Sequence, residues 1–478
     1  MTLPEGWVET TLGECQGKTE TVDPRRTPEV EYDLFSVPSY SAYQPEQAKG
    51  ADIGSTKQKV LPNDVLLCKI VPHIRRGWVV PSKCGDRPQI ASGEWIVFRD
   101  SALEPEFLRR FVLSDVFHAQ FMLTVSGVGG SLMRARPAEA AKIVVPVPPL
   151  AEQRRIVAKV DALTASIGRA RVDLERVSAL ADNLRASTVV AAMRGDLTAR
   201  WRGEHNLYAS PAAETEDAYE RVAGMRRRKP ALPVEWRPEI TIPSSWRWAS
   251  VDELVGVVQY GTSAKTTDDA GGVPVLRMGN IQRGALDWTK LKYLSASHDE
   301  FPALFLIDGD VLFNRTNSPE LVGKAAVYRG NEPASFASYL IRLRCADILP
   351  DLLARYLNSP IGREWVGQVA SQQVGQANVN GTKLKALGIP FPPMAEQIEM
   401  NRLLDAAFAR ADRLEAEATR ARALLDRLEA AILAKAFRGE LVPQDPNDEP
   451  ASVLLDRIRA ERAAAPKPKR GRARKAVG

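Results

Sequence analysis

An eight-residue stretch that occurs twice decides the fold. The first copy reads Pro146-Val147-Pro148-Pro149-Leu150-Ala151-Glu152-Gln153, and the second reads Pro390-Phe391-Pro392-Pro393-Met394-Ala395-Glu396-Gln397, at an offset of 244 residues. A second landmark, Arg194-Gly195-Asp196-Leu197, recurs as Arg438-Gly439-Glu440-Leu441 at the same offset. An interval that is kept to the residue between two landmarks predicts one rigid helix in each copy.

The residues at the two ends of each interval fit a helix. Pro149 and Pro393 suit the first helical turn, where a missing N–H costs nothing, and Gly195 and Gly439 suit the C-terminal cap. Between them, apolar residues are spaced alternately by four and three, which predicts a coiled-coil seam. The predicted seam positions are Ile156, Val160, Leu163, Ile167, Leu174, Leu404, Leu414, Leu425 and Leu428. The alternative is that each helix packs separately on its own globular domain.

The repeat continues upstream of each helix, but less strictly. Asp64-Val65-Leu66-Leu67 is echoed by Asp310-Val311-Leu312-Phe313 at an offset of 246, and Pro4 to Trp7 is echoed by Pro243 to Trp246 at an offset of 239. Offsets that drift indicate loops of different length. Short apolar runs separated by Gly, Pro, Asn and Asp predict β-rich domains in this part of each copy.

These patterns predict an α+β protein with two β-rich domains in a pseudo-two-fold arrangement. Each domain is followed by a long helix, and the two helices pair as an antiparallel coiled coil. The expected boundaries are 1–148 and 243–392 for the domains, 149–197 and 393–441 for the helices, 198–242 for a linker, and 442–478 for a C-terminal segment with a basic disordered tail.

The charge of the chain is concentrated at one end. The 478 residues contain 65 Lys and Arg against 59 Asp and Glu, a net charge of +6, and the segment Pro466 to Gly478 holds six basic residues and no acidic one. The rest of the chain is therefore balanced. This distribution excludes a uniformly basic protein, so any contact with nucleic acid must come from local clusters.

The sequence lacks the usual signatures of catalysis. Its four cysteines form no C-x-x-C pair, its four histidines lie far apart, and it contains neither a phosphate-binding G-x-x-x-x-G-K-[ST] loop nor a G-x-S-x-G motif. Neither a signal peptide nor a long apolar run is visible, so we expect a soluble, cytoplasmic protein without a membrane partner. We predict no catalytic residue and no metal site.

Two similar but non-identical domains on a rigid rod would have two recognition surfaces at a fixed distance. Double-stranded DNA suits this shape, because half-sites on one face of the duplex are about 34–36 Å apart per helical turn. Since the two domains differ in sequence, their half-sites should differ as well.

Three motifs carry a family resemblance, and the first two occur in both copies. They are the P-x-P-P-[LM]-A-E-Q junction, the helix that ends in Arg-Gly-[Asp/Glu]-Leu, and the segment from Gly309 to Ser318 that runs on to Lys324. Together they resemble the specificity subunit of type I restriction-modification enzymes over about residues 3 to 443. The resemblance implies two target-recognition domains that read a bipartite asymmetric DNA sequence, joined by helices that act as a ruler.

The resemblance also implies partners. Two modification subunits that use S-adenosylmethionine to methylate adenine at N6 would dock on the helices, and restriction subunits with ATP-driven translocase and nuclease activity would join them. The chain itself would be non-catalytic and bind no cofactor; S-adenosylmethionine, ATP and Mg are expected on the partner subunits. Arg169, Arg171 and Arg176 fit either a solvated helix face or a docking surface for these partners.

Candidate DNA-binding residues follow from side-chain chemistry, since polar and basic side chains on loops read bases and clamp phosphates. In the second domain they are Tyr260, Thr262, Lys265, Arg277, Asn280, Asn314, Arg315 and Asn317. In the first domain they are Tyr40, Tyr43, Lys69, His73, Arg75 and Arg76. Each of these residues also fits a turn or scaffold role.

Rival interpretations of the chain are a coiled-coil scaffold whose β-rich modules bind protein or glycan, and a DNA-binding protein that works alone.

Overall fold

The structure is a computed structural model that describes residues 3–17, 19–82, 86–99, 102–126, 133–205, 230–317, 321–373 and 376–464. It contains both helices and strands and divides into two compact units. The first unit comprises Met1–Leu174 and Thr419–Gly478, and the second comprises Glu175–Ala418. Within the described ranges, the helices include none that is long and apolar enough to cross a bilayer.

The first unit contains twelve described strands. They are β1 Val8–Thr11, β2 Thr21–Val22, β3 Glu31–Phe35, β4 Glu46–Lys49, β5 Lys57–Lys59, β6 Val65–Cys68, β7 Gly77–Val79, β8 Gln89–Ala91, β9 Trp95–Phe98, β10 Val125–Ser126, β11 Arg134–Ala135 and β12 Val144–Val147. They form a five-stranded sheet in the order β2-β5-β8-β3-β4, a three-stranded sheet in the order β7-β6-β9, and the pairs β1-β12 and β10-β11.

The first unit also contains helices. The short ones are α1 Pro105–Leu113, α2 Asp115–Met122 and α3 Pro137–Ala140, and the long helix α4, Leu150–Met193, begins in this unit. The core joins four phenylalanines of α1 and α2 to Ile156, Val160 and Ile167 of α4. Phe437 lies 5.4 Å from the ring of Phe107, in an edge-to-face contact.

The second unit repeats this plan with more strands. They are β13 Arg247–Ser250, β14 Val255–Tyr260, β15 Val273–Leu276, β16 Ile281–Gln282, β17 Ala285–Leu286, β18 Lys292–Leu294, β19 Asp310–Asn314, β20 Thr316–Asn317, β21 Ala325–Val327, β22 Ser335–Phe336, β23 Leu340–Cys345, β24 Ser371–Gln373, β25 Gln376–Asn378 and β26 Gly388–Phe391. The sheets are β14-β23-β19-β21, β18-β15-β22 and β20-β25-β24, with the pairs β13-β26 and β16-β17.

The remaining helices are α5 Ala199–Glu204, α6 Val251–Leu254, α7 Pro350–Asn358, α8 Pro360–Val369, α9 Gly381–Lys385, α10 Met394–Ala436 and α11 Ala451–Ala464. In the second unit, Phe313, Trp365 and Tyr356 form a core with Met193 of α4 and Leu404 of α10. The long helices end at glycines with left-handed backbone, φ +79° at Gly195 and +74° at Gly439. A Cβ atom at either glycine would lie 2.4 Å from a proline ring, Pro243 or Pro4, so both positions require glycine.

The repeated Glu-Gln pair joins each β-rich domain to its helix. Gln153 accepts a hydrogen bond from Glu104 N and donates to Ala102 O (3.0 Å) and Pro148 O (2.9 Å). Gln397 repeats this pattern: it accepts from Leu349 N (3.0 Å) and donates to Asp347 O (2.9 Å) and Pro392 O (3.1 Å). Each buried amide therefore fixes three backbone groups at the helix start.

The glutamates are buried as well, but their partners differ. Trp7 Nε1 donates to Glu152 (3.0 Å), and Trp246 Nε1 donates to Glu396 (2.8 Å). Glu396 forms a buried ion pair with Arg202 at 2.9 Å, whereas the second hydrogen bond to Glu152 comes from a neutral donor, Gln444 Nε2, at 3.3 Å. Burial raises the pKa of the Glu152 carboxyl, although the hydrogen bonds from Trp7 and Gln444 act in the opposite direction.

The prediction is wrong for two of the seam residues. Leu414 and Leu428 are 42% and 49% exposed, while Ile156, Val160, Ile167 and Leu404 are buried. Leu163, Leu174 and Leu425 are half-buried. In α10 the residues that follow Leu414 and Leu428, Glu415 and Glu429, are half-buried instead. Both are charged, which is why an apolar pattern placed the seam one residue too early at these positions.

The ends of the duplicated segments also differ from expectation. The predicted C-terminal segment contains the helix α11, which the sequence did not suggest, and Ala451 and Leu455 pack it into the first core. The basic tail, residues 465–478, and linker residues 206–229 lie outside the described part of the chain. The predicted domain boundaries stay a prediction.

The different partners of the two glutamates predict different effects of the same substitution. Glu396→Gln leaves the buried guanidinium of Arg202 without its counter-charge, so we expect a loss of about 3–5 kcal/mol in the free energy of unfolding. Glu152→Gln keeps an acceptor for Trp7. It removes a carboxyl group whose pKa is raised in the folded protein, and such a group contributes less to the free energy of unfolding above its unfolded pKa. This variant should unfold at the same or a higher temperature at neutral pH.

Thermal unfolding of the two variants measures this difference. In the parent chain, the contribution of Glu152 to stability is largest below its unfolded pKa and falls as the pH rises towards its folded pKa; Glu152→Gln should remove that fall. Equal losses in the two variants at neutral pH would contradict the assignment.

Candidate nucleic-acid interface

The same buried ion pair supports the central strand in both units. Asp64, just before β6, accepts hydrogen bonds from Leu61 N (2.8 Å) and Arg99 Nη2 (2.6 Å). Asp310, at the start of β19, accepts from Ile307 N (3.0 Å) and from Arg344 Nε (2.8 Å). Each carboxylate closes the turn before a central strand. The candidate residues that follow these strands are therefore carried on equivalent, rigid supports.

In the second unit, an aromatic ring and an amide side chain hold the candidate Arg315 in place. Its guanidinium lies over the ring of Tyr260 at 4.9 Å, and Nη2 donates to Asn378 Oδ1 at 3.1 Å. Tyr260 is exposed, and its hydroxyl accepts a hydrogen bond from Gly381 N at 2.8 Å. A guanidinium stacked on an exposed tyrosine is pre-organised to meet a phosphate or a base edge.

Asn378 is a site residue that the sequence analysis missed. Its Oδ1 atom also accepts from Thr316 Oγ1 (3.4 Å), and strand β25 pairs with β20, so that Asn378 lies opposite Thr316. The available signal was the run from Ser371 to Asn380, which contains three glutamines and two asparagines. Hydrogen bonds between strands bring this amide-rich run beside the Asn314-Arg315-Thr316-Asn317 segment. The side chain of Asn317 lies outside what the structure describes.

Three candidates of the second unit are buried scaffold residues. Asn280 bonds Arg277 N (2.9 Å), Asp287 O (2.8 Å) and Thr289 O (3.1 Å). Thr262 contacts Glu300 and accepts from Ala264 N, and Asn314 donates to Leu321 O (3.2 Å). These side chains satisfy neighbouring backbone groups and do not reach the surface.

Two further candidates of this unit keep a surface position. Lys265 is exposed. Arg277 is half-buried, and its Nη2 donates to Lys290 O at 3.1 Å.

In the first unit, Tyr40 and Tyr43 belong to an aromatic cluster. Tyr43 is exposed and stacks on the buried Trp78 at 5.2 Å, and Tyr40 lies 5.7 Å from the same ring. Burial of part of its surface raises the pKa of Tyr43. Tyr43 has a left-handed backbone (φ 49°), a conformation that residues other than glycine seldom adopt.

The basic candidates of the first unit follow β6. Arg75 is exposed and forms an ion pair with Asp115 at 2.6 Å, and His73 is exposed beside it. Lys69 and Arg76 are half-buried, and Arg76 Nη1 lies 3.5 Å from Ile70 O. The exposed members of the first site are thus Tyr43, His73 and Arg75.

The charges on the long helices form ion clusters. In the first unit, Arg171 Nη2 donates to Asp426 and Glu429, both at 2.7 Å. In the second unit, Arg185 Nη2 donates to Asp412 (2.5 Å) and Glu415 (2.6 Å). In each unit α4 therefore contacts α10. The sequence predicts that Arg171 is either a solvated residue or a docking residue. In the structure it lies in an intramolecular ion cluster.

Comparisons with known proteins agree with this architecture. Residues 243–421 match the family model described as the type I restriction modification DNA specificity domain. The Escherichia coli K12 type I restriction enzyme EcoKI specificity subunit is 27% identical over 371 residues, which cover 75% of this chain and 72% of that protein. The Escherichia coli EcoBI specificity subunit is 28% identical over 336 residues, 67% of this chain and 65% of that protein.

Solved structures give the same result. A chain from a structure that describes complex assembly and conformational transition of the type I R-M system has a TM-score of 0.64 at 25% identity and covers 92% of this chain and all of that one. The HsdS subunit of Thermoanaerobacter tengcongensis shares the fold, with a TM-score of 0.58 at 24% identity; it covers 92% of this chain and 99% of that one. Over most of its length, this chain is therefore similar to type I specificity subunits.

The part of this chain that the structure describes contains no group of three or more His, Cys, Asp or Glu residues that could hold a metal ion. Cys68 lies in the central strand of the first unit, and burial raises the pKa of its thiol. A raised thiol pKa disfavours the nucleophilic thiolate. The candidate sites consist instead of aromatic, amide and basic side chains, which are the types that contact nucleic acid.

Buried and exposed candidate residues should respond differently to substitution. Asn280→Ala removes three hydrogen bonds in a buried turn and should lower the free energy of unfolding by about 1–3 kcal/mol. Lys265→Ala should leave the melting temperature unchanged and reduce the slope of log affinity for DNA against log salt concentration by about 1. Melting curves and DNA titrations over a salt series measure both effects. A stable Asn280→Ala protein with lower DNA affinity would assign the asparagine to the interface instead.

Proposed function

We propose that this chain directs a type I restriction-modification complex to a bipartite, asymmetric DNA sequence, with one recognition site in each unit. The observation that carries the proposal is the duplication: in the two units, different polar and basic side chains follow equivalent strands, each of which is preceded or started by an aspartate paired with an arginine. The chain itself is non-catalytic in this proposal. It directs the adenine-N6 methyltransferase and the ATP-dependent endonuclease of its partners, which hold S-adenosylmethionine, ATP and Mg.

The difference between the two sites supports an asymmetric target. The site of the first unit presents Tyr43, His73 and Arg75, whereas the site of the second presents Tyr260, Lys265 and Arg315. Direct base reading depends on which donors and acceptors meet a base edge, and phosphate contacts fix the register. Sites of such different composition are suited to different half-sequences.

The long helices are proposed to pair antiparallel and set the distance between the half-sequences. Their length supports this, since the 44 residues of α4 extend about 66 Å at 1.5 Å per residue. Half-sites on one face of DNA recur about every 34–36 Å, so the helix spans nearly two turns. Within each unit, α4 residues with higher numbers contact α10 residues with lower numbers, as antiparallel pairing requires. In the first unit, Arg171 bonds Glu429 and Leu174 O accepts from Arg422; in the second, Ser178 bonds Glu415 and Arg185 bonds Asp412.

Exposed leucines on the helices support docking of two like partners. Leu180 in α4 is 64% exposed, and Leu424, which stands at the same position of the second copy, is 60% exposed. Each is followed four residues later by another leucine, Leu184 or Leu428. Residues four apart share one face of a helix. Two equivalent apolar pairs suit two copies of one partner, and we assign them to the two modification subunits.

Adenine methylation tests the proposed function. The chain is expressed with the methyltransferase encoded beside it, and N6-methyladenine is mapped across the host genome. We expect a bipartite motif with two different halves that disappears when this chain is left out. A stable complex that leaves the DNA unmethylated would instead favour the alternative, a coiled-coil scaffold whose β-rich modules bind protein or glycan.

The leucine pairs predict a stoichiometry. Leu180→Asp alone, or Leu424→Asp alone, should reduce the number of bound modification subunits from two to one, because each variant places a charge in one of two equivalent contacts. The double variant should bind neither. Leu123→Asp, at an exposed apolar position outside the long helices, is the matched control and should retain both.

Native mass measurement of the co-expressed complexes gives these counts. If either single variant loses both modification subunits, or if the double variant keeps them, the leucine pairs are not the docking sites.

A further inference from the structure

In the first unit, backbone hydrogen bonds join three short segments at the end of the central strand. Lys69, the residue after β6, donates its N–H to Glu94 O at 3.0 Å. Its own carbonyl accepts from Ala135 N at 2.8 Å, and the next residue, Ile70, forms a β-bridge with Arg134. The residues Lys69, Glu94 and Arg134 therefore belong to one backbone arrangement, although they lie far apart in the sequence.

The second unit repeats these bonds at Arg315, the residue after β19. Its N–H donates to Tyr339 O at 3.0 Å, and its carbonyl accepts from Val379 N at 2.9 Å. The next residue, Thr316, pairs with Asn378. The two units thus have three equivalent positions, which the backbone bonds define. The equivalent residues are Lys69 and Arg315, Glu94 and Tyr339, and Arg134 and Asn378.

The exposed side chains at these positions differ between the units, whereas their buried neighbours are alike. Ala135 and Val379, the residues after the third position, are both apolar and buried. By contrast, the side chain of Arg134 is 49% exposed, and Tyr339 is 46% exposed. A common backbone that presents different polar and aromatic side chains suits the reading of two different half-sequences, because bases are distinguished by the donors and acceptors on their edges.

The guanidinium of Arg134 is held on one edge and open at its end. Nε and Nη2 donate to the two carboxylate oxygens of Glu94, at 3.3 Å and 3.1 Å. Nη1 and the outer proton of Nη2 take no part in this pair. These are the donors with which an arginine meets N7 and O6 of a guanine in the major groove, and that pairing is a frequent specific contact. Glu94 therefore fixes the plane of a guanidinium whose reading end is free.

Positive charge is in excess around Arg134. Lys69 belongs to the same backbone arrangement, and Arg76 Nη1 lies 3.5 Å from the carbonyl oxygen of Ile70, the bridge partner of Arg134. Glu94 supplies one carboxylate against these three cations. Because DNA phosphates attract clustered cations and release counterions when they bind, this charge distribution favours DNA over a neutral ligand such as a glycan.

We propose that Arg134, oriented by Glu94, reads a guanine in the half-sequence that the first unit recognises, and that Asn378 belongs to the equivalent reading position of the second unit. The inference rests on the recognition function proposed above and names a specificity-determining residue in each unit. In the second unit the arginine stands at the first of the three positions: Asn378 Oδ1 accepts from Arg315 Nη2 at 3.1 Å and orients it. The two units therefore hold an arginine by similar means but at different positions, so each should read its base at a different place.

Selection of bound duplexes from a random DNA library, by the full chain in complex with the methyltransferase encoded beside it, tests the proposal without methylation. The parent should select a bipartite motif. In R134A, one position of one half should lose its preference for guanine by about tenfold, while the other positions stay unchanged. N378A should alter the other half only. R25A is the matched control, because Arg25 is exposed and also donates through Nε and Nη2 to one carboxylate, that of Asp23; it should select the parent motif.

Two further variants separate base reading from phosphate contact and from folding. Lysine keeps the charge of Arg134 but lacks its planar fork, so R134K should lose the guanine preference while its affinity keeps the salt dependence of the parent. E94A should weaken the same preference and melt at the parent temperature. If R134A and R134K both select the parent motif, and R134A only lowers the slope of log affinity against log salt by about 1, Arg134 contacts a phosphate and the proposal is wrong. A parent complex that selects no motif would instead overturn the proposed recognition function, and this proposal with it.

Discussion

The buried Glu-Gln pair at the start of each long helix is the constraint on which the rest of the structure depends. The glutamine amide satisfies backbone groups at the end of a strand and at the start of a short helix, and the glutamate accepts from a tryptophan near the start of the same β-rich domain. One further side chain completes each junction. Arg202 bonds both Gly195 O and Glu396, and Gln444 bonds both Gly439 O and Glu152. Since unsatisfied buried polar groups are costly, these bonds fix how a domain, its own helix and the end of the other helix meet.

The two junctions reach the same geometry by different chemistry. The second unit uses a buried ion pair, and the first uses neutral donors around a carboxylate whose pKa burial raises. The same contrast recurs on the helices, where equivalent positions hold arginine in one copy and glutamate in the other. A duplicated sequence has therefore kept its backbone plan while its polar side chains have become specific to one copy. The candidate sites differ in the same way, as the proposed reading of two different half-sequences would require.

Much of this architecture could be predicted from the sequence because its signals are local. The Pro-Pro start and the glycine caps mark the long helices, which span Leu150–Met193 and Met394–Ala436. The seam of α10 was misplaced at Leu414 and Leu428 because a pattern of apolar residues cannot register charged seam positions. Glu415 and Glu429 point inward only because Arg185 and Arg171 lie opposite, and those partners are more than 200 residues away in sequence.

The recognition sites were less predictable for a related reason. Asn280 and Asn314 have the chemistry of base-reading residues, but turns of the chain use the same amides to satisfy their own backbone. The contact of Arg315 with Tyr260 and Asn378 depends on strand pairing over 55 and 63 residues. The helix α11 lies outside the duplicated segment, so the repeat gave no indication of it.

The central claim is that the two units read DNA independently, each through its own site. Replacing residues 1–145 with the corresponding segment of a related specificity subunit, and then mapping N6-methyladenine in the co-expressed complex, tests it most directly. The account predicts a motif in which one half-sequence is new while the other half and the spacer are unchanged. A motif altered in both halves, from a complex that still assembles, would contradict it.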